Sequence, residues 1–185
     1  MKHGLVAALL LILAVFFGGC ASRDSPLQFF IANGLAAQLL PTAEFAGNKA
    51  LIMDMGISYA GRTMNITSAV KLTAEQIKVI ALADLARLFT ISYDGSAIDT
   101  EYSAVAKTYP IPPVYILADI QLIYYPLAAL KKHLPAALTV TEKDNVRLIS
   151  KAQTEIIRIS YTDQSIRLEN NERKYAYNIA LREAE

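Results

Sequence analysis

Residues 51–72 read LIMDMGISYAGRTMNITSAVKL and contain two runs of alternating apolar and polar side chains around a short turn. In the first run the odd-numbered positions from Leu51 to Tyr59 are almost all apolar, and the second run continues the alternation from Met64 to Leu72. A period of two is typical of a strand with one buried face. The turn around Gly61 therefore predicts an antiparallel hairpin with one apolar face.

The same alternation recurs on both sides of a helical insert. Before the insert, the pattern and the Asp94-Gly95 turn signal extend the hairpin into a meander of about five strands that ends near Tyr102. After it, strands are predicted around Val146–Leu148, Ile157–Tyr161, Ile166–Leu168 and Tyr175–Leu181. The sum is roughly nine or ten antiparallel strands, each with one apolar face.

Two segments have helical patterns instead. Leu27–Leu40 is rich in apolar residues, Ala and Gln, and is predicted to be a helix that ends at Pro41. Val114–Leu134 has an apolar stripe at spacings of 4, 3, 4, 3 and 4 residues, and Pro126 is expected to split it into two short helices. This stripe can pack against the apolar strand faces, so we expect a mainly β fold with a helical insert, in the α+β class.

The N-terminus has the pattern of a secretory signal. Lys2 and His3 precede thirteen uncharged, apolar residues, Leu5–Phe17, which are too few for a transmembrane helix. Phe17-Gly18-Gly19-Cys20 resembles a bacterial lipobox, with Phe in place of the usual Leu. We therefore expect a signal peptide at 1–19, a lipidated tether at 20–26 that begins with acylated Cys20, and one domain at 27–185.

Ala21, which follows the cysteine, bears on the location of the protein, and the net charge bears on its partners. Ala21, by resemblance to Gram-negative lipoproteins, implies sorting to the outer membrane, with the domain facing the periplasm. Removing the signal takes away Lys2 and leaves 17 Lys and Arg against 17 Asp and Glu. A neutral chain with interspersed charges offers no basic surface for a polyanion, so no nucleic-acid partner is expected.

Residue types that support catalysis are scarce. The mature chain has one histidine, His133, and one cysteine, Cys20, so a His/Cys zinc site is excluded and no metal or cofactor is expected. Asp119 is the one acid that interrupts a strongly apolar helix. It is either a carboxyl group with a shifted pKa or a structural partner for a nearby group. Nothing in the sequence argues for an enzyme.

Two stretches resemble a known family. Residues 88–95, LFTISYDG, and 113–126, PVYILADIQLIYYP, look like a family of bacterial outer-membrane lipoproteins of unassigned function that is often encoded in aryl polyene biosynthesis clusters. The family commonly ends the second motif in Trp-Pro, where this chain has Tyr125-Pro126. That family is in turn similar to the lipoprotein receptor LolB and its carrier LolA. The similarity implies an unclosed half-barrel of about eleven antiparallel strands, lidded by helices, with an apolar cavity for acyl chains.

The resemblance also implies site residues. LolB proteins have an exposed apolar residue in a loop, and Leu85 occupies the matching place, although Asp84 beside it departs from the pattern. The cavity is expected to be lined by ten residues, three of them methionines, whose flexible side chains suit acyl ligands. These residues are Met53, Met55, Met64, Ile66, Phe89, Ile91, Ile116, Ile120, Ile159 and Tyr177.

The predicted function is therefore binding without covalent chemistry. The protein is expected to hold a lipidic ligand, either lipoprotein acyl chains or an aryl polyene lipid, and to transfer it to the outer membrane. The expected partners are that membrane, the ligand and, as a candidate, a periplasmic carrier or exporter. The alternative is a structural or assembly lipoprotein with a filled core that docks an envelope or transporter partner.

Overall fold

A computed structural model of the chain describes residues 27–182 except 60, 84–85, 105 and 107–111. Twelve strands, two α-helices and one short 3-10 helix, Thr42–Glu44, occur in these residues. The strands are β1 Gln28–Ala32, β2 Leu35–Gln38, β3 Lys49–Tyr59, β4 Arg62–Leu72, β5 Ile77–Ala83, β6 Ala86–Tyr93, β7 Ile98–Tyr102, β8 Leu138–Lys143, β9 Val146–Lys151, β10 Thr154–Tyr161, β11 Ser165–Asn170 and β12 Tyr175–Arg182. The helices are α1 Pro113–Tyr124 and α2 Leu127–His133.

Ten of the strands form one antiparallel sheet in the order β7-β6-β5-β4-β3-β12-β11-β10-β9-β8. The edge strands β7 and β8 are not paired with each other, so the sheet stays open. The chain leaves the sheet at one edge and re-enters it at the other, and α1 and α2 make the connection. The helices therefore lie across one face, and the predicted open half-barrel with a helical lid is confirmed.

The prediction of a helix over Leu27–Leu40 is wrong, because this segment is the β1–β2 hairpin. Gly34 occupies the turn with φ of +68°, a left-handed conformation that favours glycine and ends any helix. Phe29 and Ile31 are buried, whereas Phe30 is exposed, which is the alternation of a strand. The Asn33-Gly34 pair is a hairpin signal that was available in the sequence.

Helix α1 is buried on nearly all sides and not only along the predicted stripe. The inner face of the sheet, defined here as the face that contacts α1, covers one side of the helix. The N-terminal hairpin covers another side: Gln121 Nε2 donates to Leu40 O at 2.8 Å, and Leu40 N donates to Gln121 Oε1 at 2.9 Å. The break between the helices at Pro126 is as predicted. None of the helices in the described residues has the length and apolar character needed to span a membrane.

The sheet beyond the helices begins one strand earlier than expected. Strand β8 pairs with β9 through a turn at Asp144 and Asn145, both of which have positive φ. On β9, the inner face carries Arg147 and Ile149 and not the predicted Val146 and Leu148. The inward arginine broke the sequence pattern because Glu142 of β8 pairs with its charge at 2.6 Å and backbone carbonyls of the lid accept its other hydrogen bonds.

Candidate ligand-binding cavity

A cavity of about 430 Å³ lies between α1 and the inner face of the sheet. We call it the lid cavity. Its walls are inner-face residues of β3, β4, β5, β6 and β12, together with Ile116, Ile120 and Ile123 of α1. This volume lies within the ~300–1,000 Å³ range of small-molecule sites in proteins. The rest of the inner face is filled by a core to which strands β8 to β11 contribute, together with the opposite ends of β4, β5 and β6 around Leu72, Ile77 and Ile91.

Small side chains contribute to this open space on one half of the sheet. Ser68, Ala83 and Ala106 occupy positions around the lid cavity where a larger side chain would reach into it. Inner-face residues such as Met64 and Phe89 are therefore only half-buried. Both residues line the lid cavity, so exposed surface of each belongs to it.

An irregularity in β6 adds an apolar side chain to the wall. Ala81 of β5 pairs with Phe89, whereas the next residue, Leu82, pairs with Arg87, so Leu88 has no counterpart on β5. Such a bulge turns two consecutive side chains toward one face. Leu88 and Phe89 both line the lid cavity as a result.

Eight of the ten residues predicted to contact a ligand line the lid cavity: Met53, Met55, Met64, Ile66, Phe89, Ile116, Ile120 and Tyr177. The other two do not. Ile91 and Ile159 are on the inner face but are completely buried in the filled core. Leu85 and Cys20 lie outside the described residues.

Asp119 is the charged residue in the wall of the lid cavity, and two tyrosines of β12 bind it. Its carboxylate oxygens both lie 2.8 Å from the Tyr175 hydroxyl, and Oδ2 accepts a hydrogen bond from Tyr177 at 2.9 Å. Burial raises the pKa of the Asp119 carboxyl to about 6, while the two tyrosines and the charge of Arg173 act in the opposite direction. Burial and the neighbouring carboxylate raise the pKa of both tyrosines.

The geometry around Asp119 is that of a structural tie between lid and sheet. It joins the middle of α1 to β12 through hydroxyl groups that each donate to the carboxylate. His133, the other candidate for proton transfer, lies at the end of α2, with Nε2 at 2.8 Å from Glu44 Oε1. No cluster of three or more potential metal ligands occurs among the residues that the structure describes.

Arg147 makes a contact with the lid that the sequence pattern did not predict. The residue is 6 % exposed, and its guanidinium donates from Nη1 to the carbonyls of Leu122, Ile123 and Tyr125, at 2.6, 3.3 and 3.0 Å. Tyr161 donates to Ile123 O as well, at 2.8 Å. These carbonyls end α1, where an unpaired acceptor and the helix dipole favour a cation. Strands β9 and β10 thus hold the lid by its C-terminal end.

Ser68 was missed for a different reason. It occupies an inner-face position of β4 between Ile66 and Val70, in a row that is otherwise apolar from Met64 to Leu72. The interruption is visible in the sequence, but one polar residue in an apolar row does not reveal whether its hydroxyl finds a partner. In the described part of the chain, Ser68 Oγ is the buried side-chain polar atom that has none.

Comparison with known proteins identifies a family but no activity. The model of a family described as "Protein of unknown function (DUF3261)" matches residues 54–183, well over half of the chain. The match begins within β3 and extends past the end of β12, so it includes the main part of the sheet and both lid helices. None of the curated proteins compared with the chain matches it.

Proposed function

The chain belongs to the DUF3261 family, and we propose that it is a lipid-binding lipoprotein of the outer membrane. In this proposal acylated Cys20 anchors the protein, and the domain faces the periplasm. The lid cavity holds the apolar chain of a lipid, either an acyl chain of a lipoprotein or an aryl polyene lipid, and transfers it to the membrane. The role is analogous to that of LolB, to which the lipoprotein family that the chain's motifs resemble is similar.

The observation that carries the proposal is the lid cavity itself. Its walls are mainly methionine, isoleucine and other apolar side chains, and it lies between a sheet and a lid that are joined at few polar points. Each methylene transferred from water into such a site contributes about 0.8 kcal/mol. A chain of ten methylenes would therefore gain about 8 kcal/mol before the cost of ordering it.

The asymmetry of the core favours binding over the alternative of a structural lipoprotein. A protein that only docks partners through its surface gains nothing from an open apolar cavity, since unfilled space forfeits packing energy. In this chain β8–β11 and one end of β4–β6 form a filled core, while the other end of β3–β6 borders an open cavity. This open space is the feature that a binding function requires.

Lipid retention by a soluble form tests the proposal. A Cys20→Ala protein without residues 1–19 is purified from a lipid-containing bacterial host and examined by native mass spectrometry. We expect bound lipid, and we expect Val79→Phe, which places a ring in the lid cavity, to reduce its occupancy at least fivefold.

Ile80→Phe is the matched control, because Ile80 is the next residue of β5 and pairs with Ala69 on the other face of the sheet. It should retain lipid like the unmodified soluble form. The proposal fails if no lipid co-purifies and added acyl ligands do not raise the melting temperature. It also fails if Val79→Phe folds normally and retains as much lipid as the control.

A further inference from the structure

Ser68 has a hydroxyl group that the fold does not satisfy. The residue is 1 % exposed, and its Oγ has no hydrogen-bond partner. The other buried polar residues in the described part of the chain do have partners: Thr42, Asp119, Gln121, Arg147 and Asn170. Because burying an unpaired hydroxyl costs free energy, such an exception calls for an explanation.

The neighbours of Ser68 cannot supply a partner. The residues opposite it on the flanking strands are Met53 and Ala81, both apolar. The backbone of β4 is engaged on both sides by the ladders with β3 and β5. An alanine at this position would fit the same space without the cost of a desolvated hydroxyl, so the hydroxyl serves something other than packing.

Ser68 belongs to the wall of the lid cavity. Ser68 lies on the inner face and lines the cavity together with Met53 and Val79. A serine hydroxyl can donate one hydrogen bond and accept others, so it can pair with a carbonyl or a hydroxyl of a ligand. The group that it recognises is expected to be neutral, because Asp119, the charged residue of the wall, is already bound by two tyrosines.

We infer that Ser68 is a specificity-determining residue for a lipid with a neutral hydrogen-bonding group, a hydroxyl or an ester or amide carbonyl, on its apolar chain. This inference rests on the proposed function and narrows its ligand class. A hydrocarbon without such a group leaves the hydroxyl unpaired. A lipid with one forms a hydrogen bond in a dry site, where the bond discriminates strongly between ligands.

Three probes of one chain length separate the contributions: hexadecane, hexadecanol and methyl palmitate, each titrated from cyclodextrin into the Cys20→Ala form by calorimetry. We expect hexadecanol or methyl palmitate to bind about tenfold more tightly than hexadecane, the effect of one hydrogen bond. The comparison of the two polar probes identifies whether a hydroxyl or a carbonyl is preferred.

In Ser68→Ala the preference should disappear, while the affinity for hexadecane stays the same and the ligand-free melting temperature does not fall. Ser68→Thr retains the hydroxyl and should retain the preference. Ser92→Ala is the control, because Ser92 pairs with Lys78 and Asp99 on the outer face of the sheet. It should leave the preference unchanged.

The outcomes distinguish the two proposals. If all three probes bind wild type equally, or if Ser68→Ala keeps the preference, the inference about Ser68 is wrong and the lipid-binding function stands. A ligand-free Ser68→Ala protein that melts at a lower temperature would assign the hydroxyl to the fold and also overturn the inference. If no probe binds wild type, both proposals are wrong.

Discussion

Asp119 shows how one residue of the lid depends on the fold for its chemistry. The aspartate could be singled out in the sequence because it interrupts an apolar helix. Its partners could not, because Tyr175 and Tyr177 lie 56 and 58 residues further along the chain. Both interpretations of Asp119 in the sequence apply. The carboxyl group is a structural partner of two hydroxyls, and burial also raises its pKa.

The raised pKa predicts how the stability of the protein depends on pH. Asp119 holds its proton more tightly in the folded chain, with a pKa of about 6 against 3.8, so its stabilising contribution is complete below pH 4 and is lost as the pH rises through 6. A shift of this size corresponds to about 3 kcal/mol. Asp119→Asn cannot ionise and should gain about that much free energy of unfolding, relative to wild type, between pH 4 and pH 7.5.

Urea unfolding of both proteins across this pH range measures the difference. Other carboxyl groups titrate equally in the two proteins and cancel. A difference that does not vary with pH would mean that Asp119 ionises in the folded protein as it does in the unfolded chain. Tyr177→Phe removes a hydrogen bond that lowers the Asp119 pKa, so in that background the transition should move to higher pH.

The contacts of Arg147 with the end of α1 predict a large contribution to stability. Removing its side chain leaves the last carbonyls of α1 without their buried donor, so Arg147→Ala should lower the free energy of unfolding by about 3 kcal/mol. Arg158→Ala is the matched control, since Arg158 is on the neighbouring strand β10 but on the outer face of the sheet, where it pairs with Glu155. It should cost less than about 1 kcal/mol. Equal losses in the two variants would contradict the role of Arg147.

Among the elements, most strands of the large sheet could be predicted from the sequence, whereas the N-terminal hairpin and the edge strand β8 could not. The alternation in β3 to β7 and β10 to β12 is local and survives in the structure because one face of each strand is buried. The N-terminal hairpin was predicted as a helix, because Ala and Gln favour helices and the Asn33-Gly34 signal was overlooked. Strand β8 was missed because it is a mostly exposed edge strand with little apolar alternation.

A substitution at Gly34 tests whether β1 and β2 form a hairpin. A Cβ at Gly34 would contact nothing within 4 Å, so Gly34→Ala should destabilise only through its left-handed backbone, by about 1–2 kcal/mol. Gly56→Ala in β3 is the control, since its backbone needs no such conformation and its Cβ would make an ordinary contact with Asn65. Thermal unfolding should therefore show a loss in the first variant and no loss, or a gain, in the second. If Gly34→Ala unfolds at the same temperature as wild type, the left-handed turn of the hairpin at Gly34 is wrong.

At the scale of the whole molecule, the fold joins two edges of an open sheet through its lid. The lid is held at the C-terminal end of α1 by Arg147 and Tyr161, in its middle by Asp119, and on its outer side by the N-terminal hairpin. The apolar contacts between α1 and β3 to β6 are incomplete, because the lid cavity separates them. An apolar ligand in the cavity would therefore add contacts between α1 and β3 to β6 and hold the lid more firmly on the sheet.

The position of the molecule in the cell is a prediction from the sequence. Cys20→Ala should release the protein from the outer membrane into the soluble periplasmic fraction, because it removes the site of acylation. Ala21→Asp should keep the anchor but retain the protein at the inner membrane. Membrane fractionation and mass spectrometry of the N-terminal peptide measure both. An unchanged distribution of Cys20→Ala would show that acylation of Cys20 is not what holds the protein at the membrane.

Local sequence patterns predicted the mainly β architecture, the helical insert with its break at Pro126, and the apolar strand face on which the cavity residues lie, whereas the cavity itself was expected only from the family resemblance. These features follow from periodicity and turn chemistry, which act over a few residues. Tertiary contacts were needed to show that the core leaves a cavity at one end of β3–β6, that Arg147 and Asp119 hold the lid, and that Ser68 has no partner. The reason is physical: burial and hydrogen bonding depend on residues that the strand order brings together from distant parts of the chain.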